Sequence, residues 1–348
     1  MLRGLCLMLL ATACLTGGAR AQAVQVPRTY DIPPPPQAVL VPRPYAIPLP
    51  PNANHEPQWQ IGARYWWSEG QTRFDINSSR IQPILGNPTS TLDYDGMNGN
   101  AGEFFWSARN ETATFAKGFI GGGGISGGSL DDEDYFVGQI KFSDTYSKVK
   151  GNSLVYGTID VGQDFTVLDR ASKITLSPFI GFNYWQETVK VNGVRCNADD
   201  VGGFFCGPPG HIAVPFSSRV IKNEANWASL RLGAEVKVKL WDRLTLRGDA
   251  AALPVAYLWS DDYHYLRSDL GRAPNIKDSG SGWGYQLEGE VSLDVSRNWS
   301  LGAGVRYWYA ETNGDSDFIH FNVTTELKDF TSERFGVFGN VTYRFDTY

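Results

Sequence analysis

Nowhere in the 348 residues do about 18 apolar side chains follow one another, so no helix of this chain can cross a bilayer. Basic residues are in the minority, 31 against 37 acidic ones for a net charge of −6, and they form no stripe, which excludes nucleic acid as a partner. Phosphate loops, dinucleotide fingerprints and nucleophile elbows are missing too. The "GGGG" at 121–124 lies in a strand-like run and lacks the lysine that a phosphate loop requires. Cysteine is scarce: Cys6 and Cys14 fall near the start, leaving Cys196 and Cys206 in "RCNADDVGGFFC". Two thiols are too few for a zinc site, and in an oxidising compartment they are expected to pair as a loop disulfide. No metal and no organic cofactor is implied.

What is present begins with a leader. "MLRGLCLMLLATACLTGGARA" has a basic residue, a short apolar core and a small-x-small site, and residues 1–21 read as a cleaved secretory signal. Acylation at Cys14 is the second reading, and both export the chain. Residues 22–56 hold a near-duplicate, "VPRTYDIPPPP" from Val26 and "VPRPYAIPLPP" from Val41, whose proline density favours an extended periplasmic linker over a packed core. A docking motif for a periplasmic partner is the sharper alternative.

From residue 57 to 348 the composition changes to glycine and aromatics, and alternation governs the pattern. In "LRLGAEVKVKL", Leu230, Leu232, Ala234, Val236, Val238 and Leu240 share one face while Arg231, Glu235, Lys237 and Lys239 share the other. The pattern returns in "YQLEGEVSLDV" and again through Trp299, Leu301, Ala303, Val305 and Tyr307. Apolar residues facing lipid and charges facing a lumen account for both faces at once. The expected fold is all-β: a ten-stranded antiparallel transmembrane β-barrel, with strands near 58–74, 91–109, 112–130, 148–167, 172–192, 220–240, 243–260, 281–295, 298–312 and 332–346. Tight turns such as "RNET" and "LWDR" are assigned to the periplasmic side, and the long polar connections to the extracellular side. The closing "VTYRFDTY" fits the aromatic end by which such barrels are recognised for insertion. About ten strands lie far below the 16 to 18 that enclose an aqueous channel.

Two acidic constellations fall at the outer ends of the third and seventh predicted strands, "LDDEDYF" at 130–136 and "SDDYHY" at 260–265. Residues two apart in extended chain point the same way, so Asp132 can join Asp134, and Asp262 can join His264. An imidazole can take a proton from water at neutral pH while a carboxylate orients it, and a facing pair of carboxylates can hold the water or a substrate carbonyl. Strict alternation from Leu244 to Leu258 turns Asp262 and His264 toward lipid, so the reading needs either a register break, which Pro254 permits, or strong twist above the membrane that re-aims the strand ends.

These stretches, with "STLDYDGMNGNAGEFFWSA", resemble the omptins, ten-stranded outer-membrane endopeptidases of Gram-negative bacteria, over roughly Trp59 to Phe345. The resemblance implies that Asp132 and Asp134 form an aspartate couple and Asp262 and His264 a dyad, with a water between them that attacks a peptide carbonyl of a peptide or protein substrate. It places Phe74 and Ser260 at the substrate-binding positions where omptins that cut beside basic residues carry acids. It also implies lipopolysaccharide as an activating lipid, although Phe182, Tyr184 and Gln186 replace the family's lipid-contacting pattern. Two other readings compete. A catalytically silent structural or adhesive barrel binding through its loops predicts that the four polar groups do not converge. A narrow solute channel needs a water path past Arg231, Glu235, Lys237, Glu288, Glu290 and Arg306, which are expected to pair and close it.

Overall fold

The computed structural model describes residues 58–169, 173–198 and 206–345; the expected signal and proline-rich linker lie outside the described residues. In chain order the strands are β1 (Gln58–Asn77), β2 (Ser90–Arg109), β3 (Thr114–Ser126), β4 (Ser129–Phe136), β5 (Ile140–Val149), β6 (Asn152–Gln163), β7 (Phe165–Asp169), β8 (Lys173–Ala198), β9 (Ile212–Trp241), β10 (Leu244–His264), β11 (Ile276–Asp294), β12 (Trp299–Phe318) and β13 (Val323–Arg344). Among the described residues the strands pair antiparallel, and β1 pairs with both β2 and β13, so the sheet closes on itself. The segments β3 and β4 continue one another along β2, and β5, β6 and β7 do so along β8. The thirteen segments therefore make the ten staves that alternation predicted. Closure removes every edge whose N–H and C=O groups would otherwise meet lipid unpaired.

Outward side chains form an apolar band: Ile61 on β1, Ile120 on β3, Leu232 on β9, Val291 on β11 and Val337 on β13 are all exposed. Trp241 and Trp299 border it at the end that carries the termini, and Trp259 and Trp283 at the opposite rim, as aromatic girdles do. The strands outrun the sequence expectation at that rim. β9 spans 30 residues, and the connections at 137–139 and 319–322 are short rather than long. Beyond the lipid band both faces of a stave meet polar surroundings, so the alternation fades while backbone pairing continues.

The lumen is filled. Its inward charges pair as expected: Arg64 lies 2.9 Å from Glu103 and 3.1 Å from Glu288, Arg306 lies 2.7 and 2.6 Å from the same two acids, and Lys117 and Lys237 flank Glu235 at 2.8 and 2.7 Å. Arg231 meets Asp160 at 3.1 Å, and Arg247 meets Glu290 at 2.6 Å. Above this lattice Trp66, Tyr156, Trp185 and Trp308 pack edge to face, and the Arg306 guanidinium sits 5.0 Å from the Trp66 ring. A cavity of about 560 Å³ lies among these ions, lined by Arg64, Arg231, Glu235 and Arg306 and reaching Gln58 and Arg344.

Glu103 and Glu288 share two guanidiniums in this lattice, so Arg306→Met should leave Glu103 with Arg64 alone and Glu288 with Arg64 and Arg247. We expect it to destabilise the barrel by about 3–5 kcal/mol, the usual effect of breaking a buried pair. Denaturant midpoints in detergent check this, with Arg306→Met/Glu103→Leu expected to regain part of the loss. An unchanged midpoint in the single variant would mean that Arg64 and Arg247 suffice.

Candidate functional site

Period-two alternation decides which side chains enter the lumen, and three bulges change its phase at the upper edge of the lipid band. On β10, Arg247, Asp249, Ala251 and Leu253 point inward, but the pairing with both neighbours slips at Pro254 and Val255. Ala256, Leu258, Ser260 and Asp262 are buried beyond it, and His264 follows on the same face. Proline cannot donate to a ladder and is tolerated where the ladder is broken. The register break that Pro254 permits is thus present, and it turns the dyad inward.

The third stave behaves alike through a signal that the sequence reading passed over. Phe115 and Ile125 face in on β3, whereas Leu130 and Asp132 do so on β4. Between them stand Gly127 and Gly128 with φ of 76° and 93°. A Cβ on Gly128 would come within 2.6 Å of the Asp95 carbonyl, so only glycine fits. The matching slip in β2 lies at Asp95 and Gly96 and brings Leu92 and Tyr94 inside. Asp131 and Glu133 take the other face, where they meet Asn197 at 3.3 Å and Lys141 at 3.0 Å.

Asp262 and His264 form a direct pair, Nε2 to Oδ2, at 3.1 Å. Asp262 is 1% exposed, and its other oxygen accepts the Tyr263 N–H at 3.0 Å. Asn275, also buried, accepts the His264 N–H at 2.6 Å, donates its backbone N–H to the Asp262 carbonyl at 2.9 Å and ties both to Gly271. A carboxylate acceptor at Nε2 leaves Nδ1 as the nitrogen with a free lone pair. Burial lowers the imidazole's proton affinity, but the Asp262 charge and hydrogen bond, with Asp132 beyond, raise its pKa overall.

Asp132 and Asp134 are half-buried on β4, with Ser90 of β2 3.5 Å from Asp132. Burial, and then the like charge of Asp134, push Asp132 up to about 7, while His264 pulls the other way. Asp134 is raised as well, by burial against the opposing effects of Ser90, Arg267 and His264. The couple and the dyad thus act on one another's protonation.

Two further residues went unnoticed in the sequence. Asp278 of β11, register partner of Ser260, is 2% exposed and accepts Ser316 Oγ at 2.5 Å; burial, then the Asp262 charge, push it up to about 7. Tyr94 of β2 has a buried hydroxyl with no hydrogen-bond partner among the described residues. Neither carries a motif, since each gains its place only through cross-strand register. Phe74 and Ser260, the substrate-binding positions that the resemblance implies, are both buried. Phe74 is fully buried and stacks on Phe330 at 4.8 Å, while Ser260 accepts the Asn223 amide at 3.1 Å. They form a floor with Trp227, whose ring meets Phe330 at 5.9 Å. Cys196 and Cys206 are disulfide-bonded, Cα to Cα 5.7 Å, clipping the end of β8 to the segment before β9. Among the described residues no cluster of His, Cys, Asp and Glu is arranged to hold a metal ion.

The family model of the Protochlamydia outer membrane protein matches residues 115–345, from β3 to the end of β13. The chain belongs to this family. It is an outer-membrane β-barrel protein, and the outward apolar band of this chain agrees with that. No curated protein matches the sequence. Among solved structures, the outer membrane protease OmpT from Escherichia coli matches with a TM-score of 0.59 and 11% identity, over 83% of this chain and 97% of that one. Ail, the attachment invasion locus protein of Yersinia pestis, matches at 0.30 and 8% identity over 84% and 100% of the two chains. The outer membrane protein OprG from Pseudomonas aeruginosa matches at 0.34 and 8% identity over 84% and 99%. At such identities the likeness to OmpT is one of fold.

Asp278 supplies a test of the buried acids. With its pKa raised to about 7, it keeps a proton in the folded chain that the unfolded chain releases near the ordinary carboxylate value. Stability should therefore fall as pH climbs from about 4 through about 7, and Asp278→Asn, which cannot ionise, should lack that fall. The variant is expected to unfold at a higher temperature than the parent at about pH 8 and at the same temperature at about pH 4. A parallel pair of melting curves across that range would show that Asp278 is not buried against other acids.

Proposed function

We propose that this outer-membrane barrel is an omptin-like endopeptidase, with the rim opposite the termini facing the environment. The observation that carries the reading is convergence: Asp262, paired with His264 at 3.1 Å on β10, and the couple Asp132 and Asp134 on β4 lie in electrostatic reach of one another above a closed lumen. A silent barrel has no need of that convergence. His264 takes the proton of a water at Nδ1, Asp262 steadies the imidazolium through Nε2, and Asp132 with Asp134 holds the water toward a peptide carbonyl. The water adds directly, so no acyl-enzyme forms. The positions nearest the acids of basic-specific omptins are Phe74 and Ser260, so arginine and lysine are not expected to be preferred on their account. Lipopolysaccharide is proposed as the activating lipid and a peptide as the substrate.

The refolded full-length chain, assayed with and without lipopolysaccharide against a peptide library, should cleave. His264→Ala and Asp132→Ala should each lower kcat/KM by about 10²–10⁴-fold, the usual contribution of a positioned acid or base. Deleting Val255, which removes the extra residue of the bulge, should abolish cleavage as well by turning Asp262 and His264 outward. Cleavage that is equal in the parent and both alanine variants would refute the assignment.

A further inference from the structure

The buried hydroxyl of Tyr94 has no part in the chemistry described so far. The ring enters from β2, where Tyr94 pairs with Leu130 of β4. One step up the same inward face, Leu92 pairs with Asp132. The phenol thus starts just beneath the aspartate couple, and its hydroxyl feels first the charge of Asp262 across the crevice, then those of Asp132 and Asp278. By register it sits one inward step below Asp132. Tyr94 is 1% exposed and its oxygen finds no partner, although a buried hydroxyl without one costs about 1–3 kcal/mol. Burial and three neighbouring acids hold its proton far above the ordinary tyrosine range, so the group is a neutral donor at any working pH. Acceptors are abundant around it, yet the hydroxyl bonds none of them.

We infer that Tyr94 is a further catalytic residue: its O–H donates a hydrogen bond to the carbonyl oxygen of the scissile peptide as that oxygen becomes negative. The inference rests on the endopeptidase reading. In the addition step the water oxygen bonds to the carbonyl carbon, its proton passes to His264 Nδ1, and the π pair of the C=O bond moves onto the oxygen that faces Tyr94. In the collapse step that pair re-forms the C=O bond and the C–N bond breaks. The leaving nitrogen keeps the C–N pair and takes the proton from His264. Tyr94 keeps its own proton throughout and acts through charge stabilisation alone.

Tyr94→Phe in the refolded full-length chain tests this. Removing an unpartnered hydroxyl should leave thermal unfolding unchanged or slightly improved, so folding does not confound the result. On a cleaved library peptide, kcat should drop by about 10²–10³-fold with KM within about twofold, the signature of a contact made only in the transition state. A phosphonate analogue of the same peptide, which carries the tetrahedral negative charge, should lose affinity for the variant, whereas the uncleaved substrate should not. Unchanged kcat, or a rise confined to KM, overturns the inference while leaving the endopeptidase reading intact. Absence of cleavage by the parent chain overturns the endopeptidase reading itself and the role of Tyr94 with it.

Discussion

Everything at this rim depends on the two-residue period of a β-strand. One inserted residue moves every later side chain to the opposite face, so a barrel can change what it shows its lumen without changing its staves. Here the phase changes at Gly96, at Gly127 with Gly128, and at Pro254 with Val255, all where the lipid band ends. Below the slips, the inward phase of β10 supplies Arg247 and Asp249 to the ion lattice; above them it supplies Asp262 and His264 to the crevice. Without them, the two acidic stretches would face outward and the site would not exist.

The filled lumen and the open crevice are two consequences of one electrostatic rule. In the lower barrel each buried acid has cations beside it, as Glu103 has Arg64 and Arg306, and the charges hold the staves together. At the rim the balance is reversed: Asp132, Asp134, Asp262 and Asp278 crowd together with His264 and the nearby Arg267 as the cationic groups acting on them. Acids that lack cations answer burial by keeping protons, which is why Asp132 and Asp278 are pushed to about 7. The aromatic layer of Trp66, Trp185 and Trp308 separates the two regimes, so the rim is not neutralised from below.

How much of this could be read in advance follows the strength of the alternation. Leu230 to Leu240 announces a lipid-facing stave because apolar and charged residues strictly interleave, and Arg231, Glu235 and Lys237 do meet partners inside. The first residues of β9 and β11, 212–219 and 276–280, announced nothing, since they show no sustained alternation and backbone pairing extends them. Pro254 was legible as a place where a break is permitted, because proline cannot donate to the ladder. Gly127 and Gly128 were equally diagnostic, but they follow a glycine-rich strand in which a further pair draws no attention. Tyr94 and Asp278 stayed hidden for another reason. Their chemistry comes from Leu130 and Ser260 as cross-strand partners, and register is a property of the closed sheet rather than of any local stretch.

The choice between an enzyme and a silent barrel then turns on energy. A barrel that served only as a wall or an adhesin would be more stable with Asp132, Tyr94 and Asp278 replaced by apolar residues of similar shape. A buried polar atom without a partner costs about 1–3 kcal/mol, and Tyr94 Oη and Asp278 Oδ2 are both in that state. Strain and unmet polarity of this kind gather where a structure is shaped for something other than its own stability. Unmatched buried atoms occur in the ion lattice too, on Arg64, Arg231 and Glu235, but there ion pairs to the same side chains offset them, whereas Tyr94 and Asp278 lie among other acids, near an imidazole already oriented by Asp262. The fold likeness to OmpT cannot supply that argument, because at 11% identity it speaks only for the staves. Under the endopeptidase proposal, the two unmatched groups near the dyad are where a polar substrate would complete hydrogen bonds that the chain leaves unmade.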